Sequence, residues 1–176
     1  MVTNKFLADT DRCIKCGGCE VACKQQNDVP YGMRRIKVVT INKGEPGETN
    51  VPMPCMHCAD PSCVKACPVD APYKREDGVV LVDKDKCIGC GYCLFACPFG
   101  APQFEASGIF GSKGKMDKCT FCVEPYNQKE NGQLVQNAAV ARCSKFCACK
   151  GLLAGDAEEI SAIMRERAAT RLAVET

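Results

Sequence analysis

The side chains in this sequence with the greatest capacity for chemistry are its cysteines, 17 in 176 residues. The densest run is Cys87-Ile-Gly-Cys90-Gly-Tyr-Cys93-Leu-Phe-Ala-Cys97-Pro98. Three thiols two residues apart, followed by a fourth and a proline, have the ligand spacing of a [4Fe–4S] cubane. A triplet on one tight turn reaches three corners of a cube, and the fourth cysteine usually serves a neighbouring cluster. Gly89 and Gly91 leave room for the backbone to curl around the inorganic sulfides. Two C-x2-C pairs could also form a zinc ribbon, but a tetrahedral zinc site has no use for the overlapping triplet and its C-x3-C-P extension.

Three further groups surround this one. Cys13, Cys16, Cys19 and Cys23 open the chain. Cys55, Cys58, Cys63 and Cys67-Pro68 follow, with a four-residue gap before Cys63. The last group is split into Cys119, Cys122 and Cys143, Cys147, with a long polar insert at 123–142. Sixteen cysteines in four groups give four cubane sites and leave Cys149 over. The first and third groups also repeat at an offset of 74 residues. Leu7, Asp9, Asp11, Cys13, Ile14, Cys16, Gly17, Cys19, Ala22 and Cys23 recur as Leu81, Asp83, Asp85, Cys87, Ile88, Cys90, Gly91, Cys93, Ala96 and Cys97. This pattern indicates internal duplication.

The elements that must position these cysteines are short, and the pattern predicts an α+β fold. Each repeat begins with a strand-like segment and ends in helical residues after its third cysteine. Residues 35–42 are rich in β-branched side chains and read as a strand, with 43–48 as a Gly/Pro turn. Residues 73–82 carry Asp77-Gly78 between extended stretches, a hairpin signal. Residues 98–118, rich in Gly, Pro and Phe, read as a loop excursion and candidate docking surface. Asp156 is placed to cap a final helix, with Glu159 as its capping-box partner. Ile160, Ile163, Met164, Ala168 and Leu172 form one face of that helix, opposite Arg165 and Arg167. The face would pack on its own domain or dock on a partner.

Composition narrows the function classes. Hydrophobic residues make up 46% of the chain, but this count includes the cysteines, and Trp is absent. So modest a core needs staples. Clustered C-x2-C pairs without a secretory signal at Met1–Asp11 read as metal binding in a reducing, cytoplasmic setting. Folded export alongside a signal-bearing partner stays open. No apolar run is long enough to span a membrane. The formal charge is +2; four cubanes, each adding roughly −2, bring the loaded chain to roughly −6. The 23 Lys and Arg thus read as counter-charges rather than a nucleic-acid surface.

Substrate chemistry is not visible. His57 is the only histidine. Rieske centres use histidine ligands in pairs, so His57 reads as a support between Cys55 and Cys58 rather than a ligand. Asp9, Asp11, Asp83 and Asp85 precede the triplets and read as turn-forming and capping residues. The chain has no Ser-His-Asp set and no phosphate-cradling loop.

How the groups pair is not decided by counting. The repeat favours pairing first with second and third with fourth. The short gap from Cys67 to Cys87, and the prolines that follow only Cys67 and Cys97, favour an inner and an outer pair. The sequence resembles the four-cluster iron–sulfur subunits of molybdenum and tungsten pterin oxidoreductases over nearly its whole length. The resemblance is carried by Cys55-x2-Cys58-x4-Cys63-x3-Cys67-Pro68 and Cys87-Ile-Gly-Cys90-Gly-Tyr-Cys93. Gly32-Met-Arg-Arg-Ile, Pro54-Cys-Met-His-Cys-Ala-Asp, Gly111-Ser-Lys-Gly-Lys-Met-Asp-Lys-Cys and Leu152-Leu-Ala-Gly-Asp are most similar to formate dehydrogenase β subunits.

That resemblance implies two ferredoxin-like two-cluster modules. The outer one would comprise residues 1–50 and 99–155, the inner one 51–98, and the C-terminal helix 156–176. It implies four ligand sets: Cys13, Cys16, Cys19 with Cys147; Cys119, Cys122, Cys143 with Cys23; Cys55, Cys58, Cys63 with Cys97; and Cys87, Cys90, Cys93 with Cys67. Cys147-Ala-Cys149 departs from the usual Cys-Pro. Cys149 therefore competes with Cys147, and the repeated C-x3-C spacing favours Cys147. The implied role is an electron-transfer subunit, not itself a catalyst. It would carry electrons between a large Mo/W-pterin subunit and a flavin, cytochrome b or ferredoxin acceptor. The alternatives are the same role beside a tungsten aldehyde oxidoreductase, a free polyferredoxin shuttle, and a zinc-stabilised interaction module.

Overall fold

The structure is a computed structural model that describes residues 3–104, 114–123, 129–130, 133–134 and 139–174. In chain order the strands are β1 (Asn4–Ala8), β2 (Ile36–Ile41), β3 (Thr49–Pro54), β4 (Pro72–Lys74), β5 (Val80–Val82), β6 (Gln103–Phe104), β7 (Met116–Asp117), β8 (Lys129–Glu130), β9 (Gln133–Leu134) and β10 (Leu152–Asp156). The helices are α1 (Gly18–Gln26), α2 (Ser62–Lys65), α3 (Tyr92–Ala96), α4 (Arg142–Lys145) and α5 (Ala157–Val174). The mixture is α+β. The strands pair as five separate antiparallel ribbons, β1–β10, β2–β3, β4–β5, β6–β7 and β8–β9.

The β1–β10 ribbon joins the two ends of the described chain, with Phe6 opposite Ala154. It brings the loop after β1, which carries Cys13 and Cys16 and leads into α1, beside the turn before β10, which carries Cys147. The Asp9 N–H donates to the Gly151 carbonyl at 2.7 Å. Gly151 is tightly packed there, and a Cβ on it would lie 3.1 Å from the Cys13 nitrogen. α1 lies against α4, and α2 against α3.

The 73–82 hairpin forms as β4–β5, with Tyr73 opposite Leu81. The 35–42 strand forms as β2, and its partner β3 has no strand signature of its own. Pro52 and Pro54 lie in β3, where proline argues against a strand because it has no N–H to donate. β2 supplies the pairing, with Val38 opposite Pro52 and Ile36 opposite Pro54. Of the 98–118 excursion, residues 105–113 lie outside the described residues; β6 and β7 pair on either side of them. Most of the 123–142 insert lies outside them as well.

The apolar core is small. Phe6, Ile36, Leu81, Phe121, Val123 and Leu152 share it with Cys19, Cys23, Cys55, Cys119, Cys143 and Cys147. The Phe6 and Phe121 rings lie 4.6 Å apart, and His57 meets Phe121 edge-on at 5.4 Å. A smaller cluster joins Ala71, Val82, Met116 and Cys93. Cysteines thus occupy positions where a typical core holds larger apolar side chains.

Asp156 caps α5 as its position predicts, with one carboxylate oxygen accepting from the Glu158 N–H and the other from the Thr3 N–H. The buried face of α5 differs from the predicted one. Ile160 is buried, but Ile163 and Leu172 are exposed. Arg167 points inward instead, donating to Asp9 at 2.8 Å and to the Lys150 carbonyl. Residues 160, 164, 167 and 171 follow one another at helical spacing, so the inner stripe begins apolar and ends in arginines that bind Asp9 and Asp11.

Candidate metal centres

The four C-x2-C loops share one backbone device. The residue just before the second cysteine is left-handed in each: Lys15 (φ 55°), His57 (φ 44°), Gly89 (φ 72°) and Phe121 (φ 57°). Four different residue types therefore adopt one loop shape. Glycine is obligatory only at Gly89, where a Cβ would sit 2.6 Å from the Gly114 carbonyl oxygen. Gly17 and Gly91, left-handed as well, then start α1 and α3. Each of these helices begins before its third cysteine, so Cys19 and Cys93 are helical rather than preceding the helix.

The fourth cysteines fall into two kinds. After Cys67, Cys97 and Cys147 the chain turns, reaching a left-handed residue at Asp70, Gly100 and Lys150. Cys147 behaves in this way without a following proline. After Cys23, which also lacks the proline, α1 simply continues to Gln26.

None of the seventeen cysteines is in a disulfide. Among the described residues no three potential ligands converge as they would on a single metal ion. Eight of the cysteines line two cavities. One, of about 140 Å³, is lined by Cys55, Cys58, Cys63 and Cys97. A narrower one is lined by Cys23, Cys119, Cys122 and Cys143. Cys13 and Cys147 each act electrostatically on Cys19, and Cys87 and Cys90 on Cys93. Cys67 and Cys87 both pack against the small core cluster that contains Cys93. Cys16 and Cys90 are the two exposed thiols.

This donor set fits cubane clusters, which take four thiolates each. Backbone N–H groups already point at three of the sulfurs: Ala71 to Cys67 at 3.4 Å, Met116 to Cys87 at 3.3 Å and Phe121 to Cys119 at 3.4 Å. Burial pushes the Cys19, Cys23 and Cys93 thiols up to about 11, and Cys143 and Cys119 higher still. Such thiols ionise only when a cation replaces the proton, so iron binding must expel protons. Cys149 differs. Burial raises its thiol, but the Gly151 and Ile14 N–H groups outweigh that and lower it. Its sulfur lies 3.8 Å from that of Cys147.

His57 is fully buried, and burial holds its imidazole well below the ordinary histidine value. Its Nδ1 accepts from the Val80 N–H at 2.9 Å, which fixes the ring between Cys55 and Cys58. Asp83 accepts from the Asp85 N–H, the local turn role that its position predicts.

The supporting polar residues carry little sequence signal. Asn27 donates to the Cys122 sulfur at 3.6 Å and the Cys23 sulfur at 3.9 Å. Arg35 holds the Asn27 oxygen at 3.1 Å and clasps Asp117 through two hydrogen bonds at 2.8 and 3.0 Å. Lys84 reaches the same carboxylate at 3.0 Å. Lys118 is buried and donates to the carbonyls of Val80 and Cys119. Nothing in single-residue composition marks Asn27 or Lys118, since both are ordinarily solvent-facing residues.

Comparison with known proteins gives a consistent result. Two family models match, both described as a 4Fe-4S dicluster domain, one over residues 48–157 and the other over residues 12–71. The chain is 53% identical over 176 positions to the formate dehydrogenase iron-sulfur subunit of Wolinella succinogenes, covering 95% of this chain and 88% of that protein. It is 37% identical over 166 positions to the probable anaerobic dimethyl sulfoxide reductase chain YnfG of Escherichia coli, covering 88% and 74%. It is 41% identical over 131 positions to the thiosulfate reductase electron transfer subunit PhsB of Salmonella typhi, covering 70% of this chain and 65% of that one. Two dicluster domains make four [4Fe–4S] clusters, and the first and third of these relatives are named as iron–sulfur and electron-transfer subunits. The chain belongs to the 4Fe-4S dicluster family and is an iron–sulfur electron-transfer subunit of an oxidoreductase complex.

Proposed function

We propose that this chain carries electrons between a Mo/W-pterin catalytic subunit of the formate dehydrogenase type and an outer acceptor subunit or carrier. Its clusters are held by Cys13, Cys16, Cys19, Cys147; by Cys23, Cys119, Cys122, Cys143; by Cys55, Cys58, Cys63, Cys97; and by Cys67, Cys87, Cys90, Cys93. The first two sets form an outer module (1–50 and 99–155) and the last two an inner module (51–98). The modules arose by internal duplication, and the C-terminal segment 156–176, which contains α5, follows them. The observation that carries this reading is the pair of cavities, each lined by four cysteines drawn from two separate groups. Support for the duplication comes from the shared left-handed residue before the second cysteine of each loop.

The four sites run in series in this reading. Burial is the main cause that raises the Cys143, Cys119 and Cys93 thiols; to it Cys23, Cys122 and Cys19 add for Cys143, Cys55 for Cys119, and Cys63 for Cys93. Each neighbouring pair of sites therefore has thiols within electrostatic reach. The exposed Cys16 and Cys90 stand at the two ends, where electrons enter and leave. When bound, the clusters supply one-electron chemistry; the chain spaces them and excludes water.

The decisive experiment combines iron and sulfide analysis with spectroscopy of Cys23→Ser. About sixteen iron and sixteen sulfide per chain are expected. A hard serine oxygen at Cys23 weakens one corner, so Cys23→Ser alters the site of Cys119, Cys122 and Cys143 and spares that of Cys13, Cys16 and Cys19. Damage at the Cys55, Cys58, Cys63 site would overturn the ligand sets, and stoichiometric zinc with little iron would overturn the whole reading. Co-purification with a Mo- or W-containing subunit tests the partner.

A further inference from the structure

Lys118 is 2% exposed, and no ion pair among the described residues includes it. Its ammonium donates to two backbone carbonyls, those of Val80 and Cys119. Two neutral acceptors satisfy hydrogen bonds but leave a buried unit charge uncompensated, and buried charges are costly unless paired. The surroundings show what could pair it. Lys118 lines the cavity of Cys55, Cys58, Cys63 and Cys97, and through the Cys119 carbonyl it is bonded to the second cavity's own cysteine. Both cavities accept an anion, since a cubane with four thiolates carries roughly −2 when oxidised and roughly −3 after gaining one electron.

We propose that Lys118 is a positioning residue for electrons: a counter-ion shared by the two middle clusters, which raises both their reduction potentials relative to those of the two end clusters. This rests on the ligand sets proposed above. A fixed positive charge favours the more negative, reduced state of each neighbouring site, so it draws electrons toward the middle of the series. β1 adds a second cation on the same side, because Lys5 Nζ donates to the His57 carbonyl between Cys55 and Cys58. Lys5 is only half-buried, which leaves Lys118 as the enclosed charge.

The test is a redox titration of the loaded protein, followed by electron paramagnetic resonance, on K118M and K118R. Signals are assigned with Cys58→Ser, Cys122→Ser, Cys16→Ser and Cys90→Ser, each with Lys118 intact. K118M is expected to move the signals marked by Cys58 and Cys122 to lower potential and to leave the other two in place. K118R, which keeps the charge, is expected to titrate like the native protein. Unmoved signals, four signals moved alike, or a K118R shift equal to that of K118M overturns the proposal. If K118M assembles fewer clusters, loss of the Cys58- and Cys122-marked signals alone supports it, and loss of either end signal overturns it. Failure of the ligand sets is detected separately: Cys58→Ser and Cys97→Ser would then alter different signals with Lys118 unchanged, and the proposal would fall with them.

Discussion

Asn27, at the end of α1, donates its side-chain amide to the sulfur of Cys122, 95 residues further along the chain, at 3.6 Å. The same amide reaches Cys23 at 3.9 Å, so one side chain spans two cysteines of one proposed site. Hydrogen bonds to the sulfurs are among the features that set a cluster's potential. Asn27→Ala should therefore lower the potential of the cluster altered by Cys122→Ser. Asn27→Asp should lower it further, because a carboxylate places negative charge where a donor stood. A redox titration of the two variants checks the order; equal potentials in all three proteins would refute it.

Arg35 and Asp117 form a buried pair, with side chains 8% and 9% exposed. Burial raises the Asp117 carboxyl, but the hydrogen bonds and charge of Arg35, with help from Lys84, outweigh it and hold the group below its ordinary value. Arg35→Met removes both guanidinium bonds to Asp117 and the one to the Asn27 oxygen, while Lys84 stays on the carboxylate. Breaking a buried pair by removing one partner costs about 3 kcal/mol at the lower end of such effects. The expected readout is loss of the cluster absorbance at a lower temperature. The double variant Arg35→Met, Asp117→Asn should recover part of the difference, and a double variant no better than the single one would count against the pairing.

Gly89 and Gly17 are both left-handed, but only Gly89 is also crowded. Gly17→Ala should cost only the backbone preference, about 1–2 kcal/mol. Gly89→Ala adds a collision with the Gly114 carbonyl and should selectively impair the site of Cys87, Cys90 and Cys93. Iron content and the spectroscopic signal of that site measure it. Equal behaviour of the two variants would show that the close approach does not matter.

The proposed ligand cysteines stand out in the sequence because cluster chemistry imposes strict spacing on few residues. The β4–β5 hairpin is legible because Asp-Gly has a turn preference of its own. β3 is not, since its prolines contradict the strand that β2 imposes on it. The inward turn of Arg167 escapes a reading by periodicity, because apolar character marks a buried face only where no charged partner waits, and Asp9 is such a partner. Asn27 and Lys118 matter through where the fold places them, and neither stands in a spacing pattern that chemistry requires.

Removing the clusters should unfold the chain. Cysteines hold core positions beside Phe6, Ile36 and Leu152, and the remaining apolar side chains are too few to make a core alone. Chelation of iron should abolish the amide-exchange protection of the β1–β10 ribbon and of α1 together. An iron-free chain that still melts cooperatively would contradict this account.

The β1–β10 ribbon also has a consequence for biosynthesis. Bringing its strands together closes a loop of nearly the whole chain, and long-range closures are made late. On a ribosome, residues 55–97, which carry the proposed inner sites, have all emerged while Cys143, Cys147 and β10 have yet to be made. In the proposed ligand sets, Cys13, Cys16 and Cys19 therefore wait longest for their fourth partner, Cys147. In the interval they form a sulfur-rich segment that the cell must keep reduced and unoccupied by stray metal until Cys147 and β10 have emerged.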